Sequence, residues 1–226
     1  MTVLAPLHFA DAREAAALAA FLGRLVHYDR AAAVRLQAAG GTLAVFGRPP
    51  SFEVLAIRTA RLVDAVGLDV TVSAGELLEG IEESAGKAVV PDSVTGPPWT
   101  GVLPPRAGWA PVAGLPGAAE MRAAVAAAVA EFRARDEELP EERRTRAERD
   151  RIGHEIWSRT LGSTGLPLRA VHAAQSLGFL PPTREESPVA ESPVALFASG
   201  PWLRLRTPYG SIALRTVSLS LAVSPR

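Results

Sequence analysis

The stretch Trp202-Leu-Arg-Leu-Arg-Thr-Pro-Tyr-Gly-Ser-Ile-Ala-Leu-Arg215 restricts the fold more than any other part of the chain. Leu203 and Leu205 share one face of its first half, with Trp202, Arg204 and Arg206 on the other. Ile212 and Leu214 alternate with Ala213 and Arg215 on the return. A period of two with one apolar face predicts a half-buried antiparallel ribbon. Between the two runs, Thr207-Pro208-Tyr209-Gly210 is a turn. Proline presets φ for a type I turn, and Gly210 suits the left-handed residue of a following G1 bulge.

The residues before the ribbon predict a helix over Pro167–Leu177. Val171, Ala174 and Gly178 fall on one side with Leu168 and Leu177 at its margins, and Arg169, His172 and Ser176 fall on the opposite side. A helix followed by a hairpin, each with a partly basic outer face, is the order found in winged helix-turn-helix modules. On that basis Arg169, His172, Ser176, Arg204, Arg206 and Arg215 are the candidate nucleic-acid contacts. Against it, a dozen or so residues separate helix from hairpin, where a wing usually follows sooner. The hairpin could instead swing back onto the N-terminal strands, giving one mixed sheet with the helices packed on one face.

Those strands are marked near the N-terminus. Asp11 opens a helix with Glu14 three residues on, and Leu18, Phe21, Leu22 and Leu25 form its apolar stripe. Val34–Gln37, Thr42–Phe46 and Phe52–Ile57 then read as a meander turned at Gly40-Gly41 and broken at Pro49-Pro50, with Leu68–Val72 a fourth strand. Ser73-Ala-Gly-Glu76 is a capping box that launches a short helix through Leu77, Leu78 and Ile81.

Residues 91–116 change character, with Pro97-Pro98-Trp99, Pro104-Pro105, Trp109 and Pro111 among glycines and few charges. Tryptophans in a neutral loop are costly to leave in water, so the segment is expected to lie as a strap over the core. The predicted organisation is an N-terminal helix and β-meander over 1–96, a Pro/Trp-rich strap over 97–116, and a helical segment ending in the hairpin over 117–226. All three can form one domain. The fold class is α+β: an antiparallel meander and hairpin sheet with a helical half packed against it.

In that half, Met121, Val125, Val129 and Phe132 repeat at helical spacing. After a second capping box at Thr145–Glu148, so do Ile152, Ile156, Trp157 and Leu161. The mixed charges of Arg133–Arg151 read as a solvated loop with helix ends. The tandem pentapeptide Glu186-Ser-Pro-Val-Ala-Glu-Ser-Pro-Val-Ala195 has no periodic core face and reads as an extended linker.

Composition excludes several classes of function. Basic and acidic side chains balance at 24 each, which argues against a partner recognised mainly by charge. Lys87 is the one lysine and asparagine is missing, a codon signature of a GC-rich bacterial genome that weakens any argument from arginine content. Without cysteine there is no disulfide, thiol nucleophile or thiolate metal site. The N-terminus lacks the basic region of a signal peptide, and no apolar run is long enough for a bilayer, so a soluble cytoplasmic protein without membrane partners is expected.

The near-motifs for chemistry fail on spacing. Gly80 to Gly86-Lys87-Ala88 has one residue too many for a phosphate-binding loop and lacks its hydroxyl. Ser84-Ala-Gly-Lys87 has the spacing of a Ser-x-x-Lys nucleophile, but a single lysine cannot also furnish a Lys-Thr-Gly strand, and a helix end capped by Gly86 accounts for it. His154-Glu155 begins a zinc-helix motif that Ser158 ends, and His154 falls away from the Ile152/Ile156 stripe, so it is expected to be exposed. No catalytic, metal or cofactor residue is therefore assigned. The leading expectation is a non-enzymatic interaction module that binds a protein partner or itself, with Trp99 and Trp109 in its contact surface. The alternatives are a winged-helix-like DNA-binding regulator, and a small-ligand binder or enzyme with a pocket between the halves, under the tryptophan strap.

Overall fold

The computed structural model describes residues 6–180 and 194–216. A short strand, β1 (Leu7–His8), leads to Asp11, whose carboxylate accepts from the backbone N–H groups of Arg13 and Glu14 and starts α1 (Ala12–Tyr28). The predicted meander follows as β2 (Ala33–Ala39), β3 (Thr42–Gly47) and β4 (Leu55–Arg61), with β5 (Leu68–Ser73) after it. The third strand begins three residues later than expected, because Phe52 belongs to the loop before it. Ser73 accepts from Glu76 N–H to cap α2 (Ala74–Glu79), which stops at Gly80 short of Ile81.

Two short strands, β6 (Ile81–Glu82) and β7 (Lys87–Ala88), pair with each other, and β7 also pairs with β1. Ser84–Gly86 therefore lies in the turn of a small hairpin and not at a helix end, with Lys87 opening the return strand. Gly86 has φ 60°, which suits the turn, and Lys87 pairs with Glu82 at 3.0 Å. A single 3-10 turn at Pro98–Gly101 and β8 (Ala110–Val112) lie within the strap. The helical half comprises α3 (Ala118–Glu137), a 3-10 turn at Glu141–Arg143, α4 (Arg146–Trp157) and α5 (Leu168–Ser176). The charged run forms the facing surfaces of α3 and α4, tied by Arg135–Glu155 at 2.8 Å and Arg149–Asp136 at 2.7 Å.

The chain closes with β9 (Ala195–Ser199), β10 (Trp202–Thr207) and β11 (Gly210–Arg215). The pentapeptide repeat lies, apart from its last two residues, outside the described residues. The ribbon pairs without a bulge from Trp202↔Arg215 to Thr207↔Gly210, so Pro208-Tyr209 is a two-residue loop and the expected G1 bulge is not formed. Thr207 stabilises it: its hydroxyl accepts from Tyr209 N–H and donates to Gly210 C=O.

Eight strands make one sheet in the order β5-β2-β3-β4-β11-β10-β9-β8, antiparallel at every step. The hairpin thus extends the N-terminal meander, and the sheet is antiparallel throughout, as the expected fold class has it. The topology contains a repeat that composition does not reveal. Helix α1 precedes the meander β2-β3-β4, and α5 precedes the meander β9-β10-β11. The two copies meet through their third strands, with Ile212 opposite Ala56. α1 packs on β4 and α5 on β11, as an approximate two-fold axis normal to the sheet would require.

Side chains alternate between the faces. Val34, Leu36, Leu43, Val45, Ala56, Leu203, Leu205, Ile212 and Leu214 join the helices in the main core. Phe46, Leu55, Ile57, Trp202 and Ala213 form a smaller cluster on the other face, against which Trp99, Leu103 and Trp109 of the strap are packed. Both strap tryptophans are half-buried, as a covering segment requires. Helix α5 ends in an αL glycine, Gly178 (φ 70°), which returns Phe179 to the core against Phe21 of α1 at 5.5 Å.

Candidate functional site

The outer face of the sheet collects the arginines of the hairpin. Register sets Arg204 between Ala213 and Phe197, Arg206 beside Ser211, and Trp202 beside Arg215. Each guanidinium lies near an aromatic ring: Arg204 over Trp109 at 5.8 Å, Arg206 over Phe197 at 5.9 Å, Arg215 over Trp202 at 6.0 Å. At these distances the ring quadrupole attracts the cation. No ion pair among the described residues uses Arg204, Arg206 or Arg215, whereas most of the arginines on the helices are paired with carboxylates.

Arg204 is the most enclosed of the three. Its Nε is buried and makes no hydrogen bond. Burial in the first place, and the like charge of Arg206 in the second, hold its guanidinium below the ordinary arginine range. An arginine so placed stays charged at neutral pH and lacks a counter-ion. Two cavities flank it. One, of about 320 Å³, is walled by Ile57, Thr59, Trp109, Phe197, Arg206 and Ser211. The other, of about 350 Å³, is reached past Leu103, Pro105 and Arg106 of the strap and Gln37 and Thr42 of the sheet. Arg204, Ile57 and Thr59 belong to both, and neither is lined by a carboxylate or a histidine. Trp109 roofs the first, its indole N–H donating to Pro105 C=O at 2.9 Å and so fixing the strap.

Further along the same face, Trp99 and Trp202 wall a cavity of about 420 Å³ that Arg48, Arg169 and Arg215 surround, with Glu53 3.6 Å from Arg169. On the helical side, the loop before β4 meets α4 and α5 around a cleft of about 490 Å³ containing Phe52, Phe132, Trp157 and His172. His172 stacks on Trp157 with centroids 4.4 Å apart, and burial pushes its imidazole below the usual histidine range. His154 is exposed, as its position on α4 implied, and stands at this cleft's rim. No group of three or more potential metal ligands occurs among the described residues, and none of their helices is long and apolar enough to cross a membrane.

The six residues proposed as nucleic-acid contacts are therefore divided. Arg204 and Arg206 share one cavity, Arg169 and Arg215 another, and Arg169 also meets His172 at the helical cleft. Ser176 is half-buried and lines none of these spaces. Helix α5 packs on one face of the sheet through Val171 and Ala174, while Arg204 and Arg206 belong to the other, so helix and hairpin do not stand side by side as recognition helix and wing. Phe52, Trp157 and Phe197 were not foreseen in a site. In the sequence Phe52 falls in a predicted strand, Trp157 in a core stripe, and Phe197 just after a segment that reads as linker.

A family model described as "Domain of unknown function (DUF8185)" matches residues 104–219, just over half of the chain. The chain belongs to this family. A second model, "Domain of unknown function (DUF8010)", matches residues 3–101. The two matches meet inside the strap, and the sheet is shared: the DUF8010 match contributes β2 to β5, and the DUF8185 region contributes β8 to β11. The cavities beside Arg204 therefore take walls from both, with Ile57 and Thr59 on one side and Arg206 and Ser211 on the other. No curated protein and no solved structure matches the chain.

Proposed function

We propose that the protein is a small-molecule binding module that holds an organic anion between the strap and the outer face of the sheet. The observation that carries this is Arg204, a half-buried cation with an unbonded Nε, a tryptophan over it, and no carboxylate lining either cavity it borders. An arginine left without a counter-charge in a partly dry site favours an anionic ligand, because a charge-assisted bond there is stronger than in water. Ile57, Phe197 and Trp109 supply apolar walls and Thr59 and Ser211 supply hydroxyls, so the fitting ligand is a carboxylate or phosphate ester on an apolar body. The cavity volumes lie at the small end of the ligand-pocket range, roughly 300–1,000 Å³. Binding is favoured over catalysis because the lining offers no histidine, carboxylate or lysine to act as general base or to activate the Thr59 and Ser211 hydroxyls.

Binding of a protein partner through Trp99 and Trp109 gains less support, since both rings are already half-buried against the sheet. A DNA-binding role loses its geometric basis with the hairpin at the sheet centre, and the chain has zero net charge. Calorimetric titration with benzoate, phenyl phosphate and inorganic phosphate tests the proposal. The aromatic anions should bind saturably, and Arg204→Met, which keeps the apolar stem, should weaken them by roughly tenfold or more. If none of the three binds, or if Arg204→Met binds as well as the native protein, the proposal fails.

A further inference from the structure

Helix α4 carries Gly153 in its interior, where alanine would make a better helix. Its φ is not in the left-handed region, so the backbone there does not require glycine. What the missing side chain leaves is space. A Cβ at this position would stand 3.6 Å from Cε2 of Phe132 and 3.7 Å from Cδ1 of Trp157, which is ordinary contact. Alanine would therefore fit, and anything longer would project into the helical cleft between the two rings.

The other walls of that cleft are fixed in place. Trp157 is held by its stack on His172, with the planes 21° apart, and His172 meets Phe52 edge-on at 5.1 Å. Phe52 is presented by a loop in which Ser51 (φ 68°) and Glu53 (φ 53°) are both left-handed although neither is glycine. Such backbone is uncommon for side-chain-bearing residues and persists where its surroundings impose it. The rim carries both signs of charge, Arg149 with Asp150 and Arg169 with Glu53, together with the hydroxyl of Ser158. Arg149 is already engaged by Asp136 at 2.7 Å.

We propose that this cleft is a second binding site, separate from the strap, for a flat uncharged heteroaromatic ring of the nucleobase kind. The rings select a planar body by stacking and edge contact. The balanced rim leaves no net charge to select an ion, while its donors and acceptors reward a ring edge that carries both. The cleft volume of about 490 Å³ accommodates a one- or two-ring base. It draws Ser51, Phe52 and Glu53 from the DUF8010 match and its remaining walls from the DUF8185 region, so the site exists only where both are present.

The test uses the full chain with ¹⁵N-labelled indoles, the Trp157 signal being assigned from Trp157→Phe, and adenosine, cytidine and phenol as ligands. A nucleoside should shift the Trp157 Nε1–H signal saturably and more tightly than phenol does. Gly153→Leu and, independently, Phe52→Ala should each weaken it by roughly tenfold. Gly153→Ala should retain binding in a protein at least as stable, which separates blocking the slot from damaging the helix. Arg204→Met should leave nucleoside binding unchanged, so failure at the strap and failure here are distinguishable. The proposal is overturned if neither nucleoside moves the Trp157 signal at about 10 mM, if both Gly153→Leu and Phe52→Ala bind as tightly as the native chain, or if phenol matches the nucleosides.

Discussion

Arg135 on α3 grips Glu155 on α4 with two parallel hydrogen bonds of 2.8 Å, one to each carboxylate oxygen. Arg159 adds a contact to the same carboxylate at 3.5 Å and pairs with Glu131 across the helices. The hydrogen bonds from Arg135 hold the Glu155 carboxyl down at about 2. A carboxylate with a folded value below its unfolded one, roughly 4.3, stabilises the fold above that unfolded value. The contribution fades as pH falls towards about 2, where Glu155 is protonated in the folded state as well. Urea unfolding of the native protein and Glu155→Gln should therefore differ at pH 7 and converge near the folded value, and salt should narrow the gap at pH 7 because the pair is solvent-accessible.

The turn of the hairpin makes a sharper steric prediction. A Cβ on Gly210 would come within 2.7–2.8 Å of three ring atoms of Phe179, a rigid group itself packed against Phe21. Gly210→Ala is expected to destabilise by about 1–3 kcal/mol, the range for overpacking a well-filled site. Gly210→Ala combined with Phe179→Leu should recover part of that loss in chemical denaturation, since the smaller side chain can yield.

Asp11 serves both a helix and a strand. Its carboxylate caps α1 and stands 3.3 Å from Arg61 on β4. Arg61 is mostly exposed, so the ion pair adds little and the cap dominates. Asp11→Ala should cost about 1 kcal/mol, and Asp11→Ser, which restores the cap without the charge, should recover most of it.

Trp109 ties the strap to the sheet by packing its ring against the outer face and over Arg204, and its bond to Pro105 closes a turn within the strap. Trp109→Ala should speed proteolysis within residues 102–110 and weaken any ligand that Arg204 holds, while leaving the helical cleft unaffected. Limited digestion followed by mass spectrometry measures the first effect, and calorimetry the second.

Local chemistry explains what could be read in advance. The caps at Asp11, Ser73 and Thr145 form as their spacing implies, because cap and helix are neighbours in sequence. The faces of the ribbon also follow from alternation alone, with Leu203, Leu205, Ile212 and Leu214 inward and Trp202 outward. What alternation cannot say is which strand lies alongside. The pairing of β11 with β4 joins residues more than 150 positions apart, and no local signal carries it. The repeat is hidden for a related reason: the outer face of the first meander carries Phe46, Leu55 and Ile57, whereas that of the second carries Arg204 and Arg206, so the two copies differ in chemistry. The site lay hidden in the same way. Arg204 was visible as an outward arginine, but Trp109 reaches it only through the strap, and Phe52 meets His172 only because β4 and α5 share the core.

The meeting of β4 and β11 has a consequence for the gene as much as for the molecule. Among the described residues one strand seam joins the sheet portions of the two halves, and separating them would leave an unpaired edge on each, β4 on one and β11 on the other. Severed within the strap, the N-terminal portion would have a bare β4, and the simplest partner for it is another β4 from a sister fragment. A symmetric homodimer is thus the expected fate of that portion alone, and adding the C-terminal portion should dissolve it into a reconstituted heterodimer.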